Sequence, residues 1–349
     1  MDQAVTRQSP ICAPTVSVLM SCYNAARWLR EAVESVLSQS YVGFELIIVD
    51  DGSKDETPTL LQRYAARDPR IVVIRKSNTG LGDSLNTGIK RARGAWIARI
   101  DADDVCEPTR LARQLELAHS NPRLVFVGSG LSIINERSVI LTVHNYPTRH
   151  SALLRHLRQV KPFPPHSSAM YRTDAVRGIS GYRTRIRRAQ DWDLWLRLSE
   201  IGELSSINEP LVRIRKHADQ VSHEESGGRQ RVDSRLSLTS YWLRQWGLTD
   251  PVSDDETHFA EFRGWVESRL QQEGLHDVEA MRAQLNRLFN AAPNLPVAAL
   301  RMAEASLRHP AIVLRLIMQR FTGENLTRQM AREWANREAL RMHSKRLGP

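Results

Sequence analysis

Four apolar runs of strand length, separated by helix-length amphipathic stretches, constrain this chain more than any other feature. They are Val16-Ser17-Val18-Leu19-Met20, Phe44 to Val49, Ile71 to Ile74 and Ala95-Trp96-Ile97-Ala98. After the first, Trp28, Leu29, Ala32, Val33, Val36 and Leu37 recur at helical spacing as a core face, with Asn24 placed to cap the helix. A second helix has Asp55 as its cap and Pro58 in its first turn, and a third runs from about Asp83 to Ala92. Alternation on this scale predicts an α/β fold with a Rossmann-like, mostly parallel sheet flanked by helices and joined by right-handed crossovers.

Each run delivers polar or glycine residues at its carboxyl end: Ser21-Cys22-Tyr23-Asn24, Asp50-Asp51-Gly52-Ser53, Asn78-Thr79-Gly80-Leu81-Gly82 and Asp101-Ala102-Asp103-Asp104. In a parallel sheet these ends lie side by side, and ligands bind there. The four clusters are therefore expected to converge on one crevice. Carboxylates crowded at a strand end are costly to ionise together unless a cation or donor groups compensate. That points to a divalent metal and an anionic ligand. A solvated turn capping a helix accounts for one of these aspartates and poorly for three. Gly80 and Gly82 permit a tight turn or a close backbone approach.

Beyond the acidic cluster, Thr109 to Ser120 reads as a helix, and Leu124 to Val127 and Val139 to Val143 read as strands no longer parallel. Lys161 to Pro165 is a proline-rich break. His166 follows it, suited either to the acceptor side of a site or to a core hydrogen bond. A basic loop (Arg183, Arg185, Arg187, Arg188) precedes a helix opening at Gln190-Asp191-Trp192-Asp193. The loop fits a phosphorylated acceptor or a solvated face, and Asp191 fits a helix cap or a general base. From about Glu224 helical periodicity takes over. Leu236, Trp242, Leu243 and Trp246 form one stripe, Phe259, Phe262, Trp265 and Val266 another, and Met281, Leu285, Leu288 and Phe289 a third. These stripes read as core. Residues 1–223 are thus expected to form the ligand-binding domain and 224–349 a helical extension.

The 349 residues carry a net charge of +10 and a pI near 9.9, which suggests an anionic partner. Cys12, Cys22 and Cys106 lie far apart with no CxxC spacing, against a zinc ribbon or disulfide framework and in keeping with a reducing compartment. No signal peptide is legible, and no apolar run approaches the roughly 20 residues that span a bilayer. The expected location is cytoplasmic, with peripheral attachment to the inner face of the plasma membrane as one possibility. For that attachment the basic stretch from Arg308 to Pro349 and the amphipathic Ala311 to Phe321 would dock on anionic lipid, or else cap another part of the protein.

Taken in order, Val16-Ser17-Val18 through Tyr23-Asn24, Asp50 to Ser53, Asn78 to Leu81, Asp101 to Asp104 and Gln190-Asp191 resemble a family 2 glycosyltransferase of the GT-A fold, over roughly residues 14 to 222. The resemblance implies an inverting enzyme with a nucleotide-sugar donor, UDP- or dTDP-linked, and Mn2+ or Mg2+. The acceptor it implies is a glycan or lipid-linked hydroxyl in surface polysaccharide or lipopolysaccharide synthesis. By position it implies that Ser21, Tyr23, Asp50 and Asp51 bind base and ribose, with Asn24, Asn78 and Gly80 in the same nucleotide-sugar site. Asp101 would sit by the ribose, Asp103 would hold the metal through the diphosphate, and Asp191 would be the catalytic base. Gln190 stands where the family usually has Glu. His217 falls where the family closes a loop over the diphosphate, as a metal ligand or phosphate contact or a surface histidine. His166, Arg188, Gln190 and Trp192 fall to the acceptor side. A sugar nucleotidyltransferase would want a glycine- and basic-rich phosphate loop after the first strand, which Ser21 to Asn24 does not supply. A dehydrogenase would want GxGxxG. A nucleic-acid binder would interleave its basic residues with aromatics on one face, and here the arginines are scattered.

Overall fold

The computed structural model describes residues 14–217, 227–272 and 326–342. The chain forms two compact units. The first holds Met1–Leu157, Pro162–Thr184 and Leu194–Gln220, and the second Arg158–Lys161, Arg185–Asp193 and Val221–Pro349. The long stretch of the second unit is Val221–Pro349. That unit also takes in two short segments, one of them carrying Asp191.

The first unit is a nine-stranded mixed sheet. Its parallel half comprises β1 (Val16–Cys22), β2 (Phe44–Asp50), β3 (Ile71–Arg75) and β4 (Trp96–Asp101), in the order β3-β2-β1-β4. Every residue of β1 and β2 is buried. That is why these strands read as mostly apolar runs: helices cover both faces of a parallel sheet. The connecting helices are α1 (Ala26–Leu37), α2 (Thr57–Arg67) and α3 (Leu81–Arg91). Leu29, Ala32, Val33 and Val36 of α1 are buried as expected. Trp28 is only half-buried, because it sits between guanidinium groups instead of in the core: Arg27 and Arg215 lie 4.3 and 4.5 Å from its ring.

Asn24 does not cap α1. It has a left-handed φ of 51°, and its side-chain oxygen accepts the Lys54 N–H at 2.9 Å. The first N–H groups around α1 go instead to the Thr57 hydroxyl (from Ala25, 2.8 Å) and the Asp55 carboxylate (from Ala26, 3.1 Å). Asp55 also accepts the Thr57 N–H at 2.9 Å, so one side chain serves the starts of two helices.

The sheet continues past the acidic cluster through β5 (Val105–Cys106), β6 (Leu124–Ile134), β7 (Ile140–His144), β8 (Met170–Arg172) and β9 (Glu203–Arg215). β8 lies antiparallel between β4 and β6, and β7 is antiparallel on β6. Of the two runs expected to be no longer parallel, Val139 to Val143 (β7) pairs only antiparallel, whereas Leu124 to Val127 (β6) pairs antiparallel with β8 and parallel with β9. Helix α4 (Arg110–Ser120) falls where expected; α5 (His150–Arg158) and α6 (Thr173–Gly178) complete the connections. Arg177 of α6 reaches the carbonyls of Ile89 (2.8 Å), Lys90 (3.3 Å) and Ala92 (2.5 Å) and closes the carboxyl end of α3.

Helix α7 (Gln190–Leu198) starts in the second unit and ends in the first. The second unit is otherwise built from α8 (Gly227–Gln245), α9 (Glu256–Gln272) and a helix over 326–342. Leu236, Trp242, Leu243, Phe259, Phe262 and Val266 are buried, so those stripes are core, and Trp334 joins them against Phe262 at 4.9 Å. The stripe Met281 to Phe289 and the segment Ala311 to Phe321 lie outside the described residues. Among those described, no helix is long and apolar enough to cross a membrane.

Candidate active site

The carboxyl ends of the parallel strands are in register. Ser21 pairs with Val49 on one side and Asp101 on the other, Cys22 pairs with Asp50, and Asp50 pairs with Arg75. The polar clusters that follow these residues therefore open at one edge of the sheet, as parallel pairing requires. Tyr23, Asn24 and Asn78 are exposed there.

Asp50 and Asp51 are buried and tie the loops together. Asp50 accepts the Ser53 N–H at 2.9 Å and lies 3.4 Å from Arg75. Asp51 accepts from Lys76 (2.6 Å) and from the backbone of Thr79 (3.0 Å) and Gly80 (2.8 Å). Burial works to raise the Asp51 carboxyl, but these donors outweigh it and hold it below the usual carboxylate range. The loop can approach so closely because Gly80 adopts a φ of 98°. Gly52 (φ 81°) must likewise stay bare, since a Cβ there would meet the Asn78 nitrogen at 2.9 Å.

The acidic loop follows β4. Oxygens of Asp101, Asp103 and Asp104 lie within 4.8 Å of one another, the only such acidic or ligating trio among the described residues. Their environments differ. Asp104 is buried, accepting the Arg215 N–H at 3.0 Å and bonding Ser167. Burial, then the charges of Asp103 and Asp101, push its carboxyl well above the usual range. Asp103 is raised by burial and by Asp101, and meets the His217 Nε2 at 2.9 Å. Asp101 pairs with the buried guanidinium of Arg99, and the Ser167 hydroxyl lies 3.0 Å from its second oxygen. Carboxylates held this close, with Asp103 and Asp104 disfavouring charge, are what a hard divalent cation relieves, and all-oxygen donors suit Mg2+ or Mn2+. The residues present fit such an ion.

Three supporting residues carry no motif. Ser167 touches Arg99, Asp101 and Asp104 at once. Lys76 holds Asp51. Arg215 is fully buried and bonds the Asp103 carbonyl (3.1 Å), the Asn135 carbonyl (3.2 Å), the Ser138 hydroxyl (3.0 Å) and the Glu31 carboxylate (2.6 Å). A charged residue inside the apolar strand Trp96-Ile97-Ala98-Arg99-Ile100 is the one signal in the sequence that an acidic partner lies nearby. His166, half-buried beside Ser167, bonds the Tyr182 hydroxyl at 2.6 Å. Burial, then the Arg99 charge, lowers its imidazole well below the ordinary value, so it is neutral at pH 7.

The structure thus gathers Ser21, Tyr23, Asn24, Asp50, Asp51, Asn78, Gly80, Asp101, Asp103, His166 and His217 in the first unit. Arg188, Gln190, Asp191 and Trp192 belong to the second. Asp191 is the second residue of α7, inside the helix instead of at a cap position, and its Oδ1 accepts the Trp192 N–H at 2.8 Å. Gln190 is buried and Trp192 half-buried.

A mixed sheet with polar loops at its parallel strand ends and an acidic trio beside them is the arrangement of a GT-A glycosyltransferase. The sequence profile of glycosyl transferase family 2 matches residues 17–179. The Bacillus subtilis protein EpsE, named as a glycosyltransferase, is 37% identical over 59% of this chain and 74% of its own length. The Escherichia coli chondroitin synthase is 30% identical over 60% of this chain and 30% of its own. Among solved structures, Staphylococcus aureus TarS with UDP-GlcNAc has a TM-score of 0.55 at 18% identity, over 72% of this chain and 70% of that one. The Pyrobaculum calidifontis mannosyltransferase PcManGT with GDP-Man and Mn2+ scores 0.52 at 19% identity, over 91% and 87%. The chain belongs to glycosyltransferase family 2 and is an enzyme of that kind.

Proposed function

We propose that this enzyme is an inverting, metal-assisted glycosyltransferase. It moves a sugar from a UDP- or dTDP-linked donor to a hydroxyl of a glycan or lipid-linked acceptor in surface polysaccharide or lipopolysaccharide synthesis. The observation that carries the reading is the acidic trio at the in-register strand ends, beside loops whose donors and carboxylates suit a nucleoside. The chondroitin synthase among its relatives supports a polysaccharide product, and UDP-GlcNAc and GDP-Man in its structural neighbours support a nucleotide-sugar donor.

In this reading Ser21, Tyr23, Asn24, Asp50, Asp51, Asn78 and Gly80 frame the base and ribose, with Asp101 at the ribose. Asp103, with His217, would hold Mn2+ or Mg2+, which when bound neutralises charge developing on the diphosphate. Ser167, Arg99 and Arg215 keep the carboxylates in place without that ion. Asp191 takes the proton of the acceptor hydroxyl as its oxygen bonds the anomeric carbon. The bond from that carbon to the diphosphate breaks, the nucleoside diphosphate leaves, and the centre inverts. His166, Arg188, Gln190 and Trp192 line the acceptor side.

Thermal stabilisation by UDP-GlcNAc, UDP-glucose, dTDP-rhamnose and GDP-mannose, with and without MnCl2, tests this directly, because a ligand of the native state raises the melting point. A metal-dependent rise with one of them is expected. No rise with any, at millimolar ligand, removes the reading.

A further inference from the structure

Asp233 lies on α8 and is 1% exposed. A carboxylate so buried is costly unless its oxygens are fully bonded. Its Oδ2 accepts the backbone N–H groups of both Arg187 and Arg188 at 2.9 Å, and its Oδ1 takes the Arg263 guanidinium at 3.0 Å. Two successive peptide donors on one oxygen fix the orientation of that peptide as well as its position. The same loop is gripped again by Arg185. Its guanidinium reaches the carbonyls of Val252 (3.3 Å) and Asp254 and the Glu256 carboxylate (3.2 Å), and lies 5.3 Å from the Phe259 ring. Arg185 is thus occupied within the helical unit. Two residues beyond Arg188, α7 begins, and the Asp193 N–H bonds the Ala189 carbonyl at 3.0 Å, so the helix grows straight out of the clamped turn.

We infer that Asp233 is a positioning residue for Asp191: by holding the peptide N–H groups of Arg187 and Arg188 it sets where the first turn of α7 starts and how the Asp191 carboxylate is aimed. This rests on Asp191 being the base. The helical second unit then serves catalysis by holding the segment that carries the base, although Asp233 itself touches no substrate.

The test uses the full chain and whichever of the four nucleotide-sugars above is turned over fastest, with release of nucleoside diphosphate as the assay. Asp233→Ala alone takes from the half-buried Arg263 guanidinium one of its two carboxylate partners and leaves it Glu267, so it is made together with Arg263→Met, and Arg263→Met alone is the control. The control is expected to turn over like the parent. The double variant should lose about ten- to a hundredfold in kcat, the cost of a small misplacement near the chemistry, while its KM for donor and its affinity for UDP stay at the parent's values. Equal kcat in the double variant and the control, with Asp191→Asn inactive, overturns the positioning role and leaves the base assignment standing. Near-normal turnover of Asp191→Asn overturns the base assignment instead. If the double variant fails to fold, hydrogen exchange in the parent decides: the Arg187 and Arg188 amides should exchange slowly, and exchange at open-loop rates overturns the clamp.

Discussion

Replacing Arg215 with methionine should loosen the acidic loop from beneath. The guanidinium is fully buried and joins four segments: α1 through Glu31 and Trp28, the β6–β7 turn through Asn135 and Ser138, the acidic loop through the Asp103 carbonyl, and β9 itself. Methionine keeps much of the length and the contact with Trp28, and it removes the cost of burying a charge. It leaves the carbonyls of Asp103 and Asn135 short of a donor, at about 1–3 kcal/mol for each such group. The ion pair adds little, because the Glu31 side chain is 43% exposed and screened. The net expectation is a loss of about 2–4 kcal/mol. At about 2–4 °C per kcal/mol for a domain of this size, the melting point should fall by roughly 4–16 °C. Glu31→Gln should cost less than about 1 kcal/mol. Urea unfolding of both variants measures these values, and Mn2+ titration followed by electron paramagnetic resonance should show weaker binding in Arg215→Met alone. A stability within about 0.5 kcal/mol of the parent, the range of ordinary surface changes, together with unchanged Mn2+ affinity, would refute the keystone role.

Other expectations are simpler. Asp103→Ala should abolish Mn2+-dependent retention on immobilised UDP; equal retention with and without metal counts against its ligand role. Asp51→Asn should cost about 1–3 kcal/mol at pH 7. Since the Asp51 carboxyl is held low in the fold, its contribution is present above the unfolded value of about 4 and disappears as pH falls through the folded one, so parent and variant should converge in acid melts. For His166, lowered in the fold, the favourable term is complete above about pH 6.5 and erodes below it at up to about 1.4 kcal/mol per pH unit. His166→Gln should flatten that slope, and an unchanged slope assigns the titration elsewhere. Deleting residues from Arg308 onward should release the protein from anionic liposomes if that stretch is the anchor; binding that survives the deletion excludes it.

The parallel half of the sheet was legible because local pattern and final environment agree there: β1 and β2 are mostly apolar, with Ser17, Ser21, Glu45 and Asp50 as the exceptions, and buried from end to end. β9 was not legible. Glu203-Leu204-Ser205-Ser206-Ile207-Asn208-Glu209-Pro210 mixes polar residues with a proline, and its pairing with β6 shifts register on either side of Gly130, which faces Pro210. Asn24 has the residue type of a helix cap, yet tertiary bonds to Ser53 and Lys54 claim it. The acidic trio stood out through its spacing alone. Its supports did not: Ser167 meets Asp101 from 66 positions away and Arg215 meets Asp103 from 112, and no periodicity encodes such meetings.

Arg177 gives the chain an order of completion. The last turn of α3 ends in carbonyls that find their donor only when a side chain made some 85 positions later folds back onto them. The same short stretch supplies β8, which seals the open flank of β4. A nascent polypeptide ending between Asp101 and Met170 would therefore have all four parallel strands and still leave the sheet with a raw margin and a frayed helix beside it.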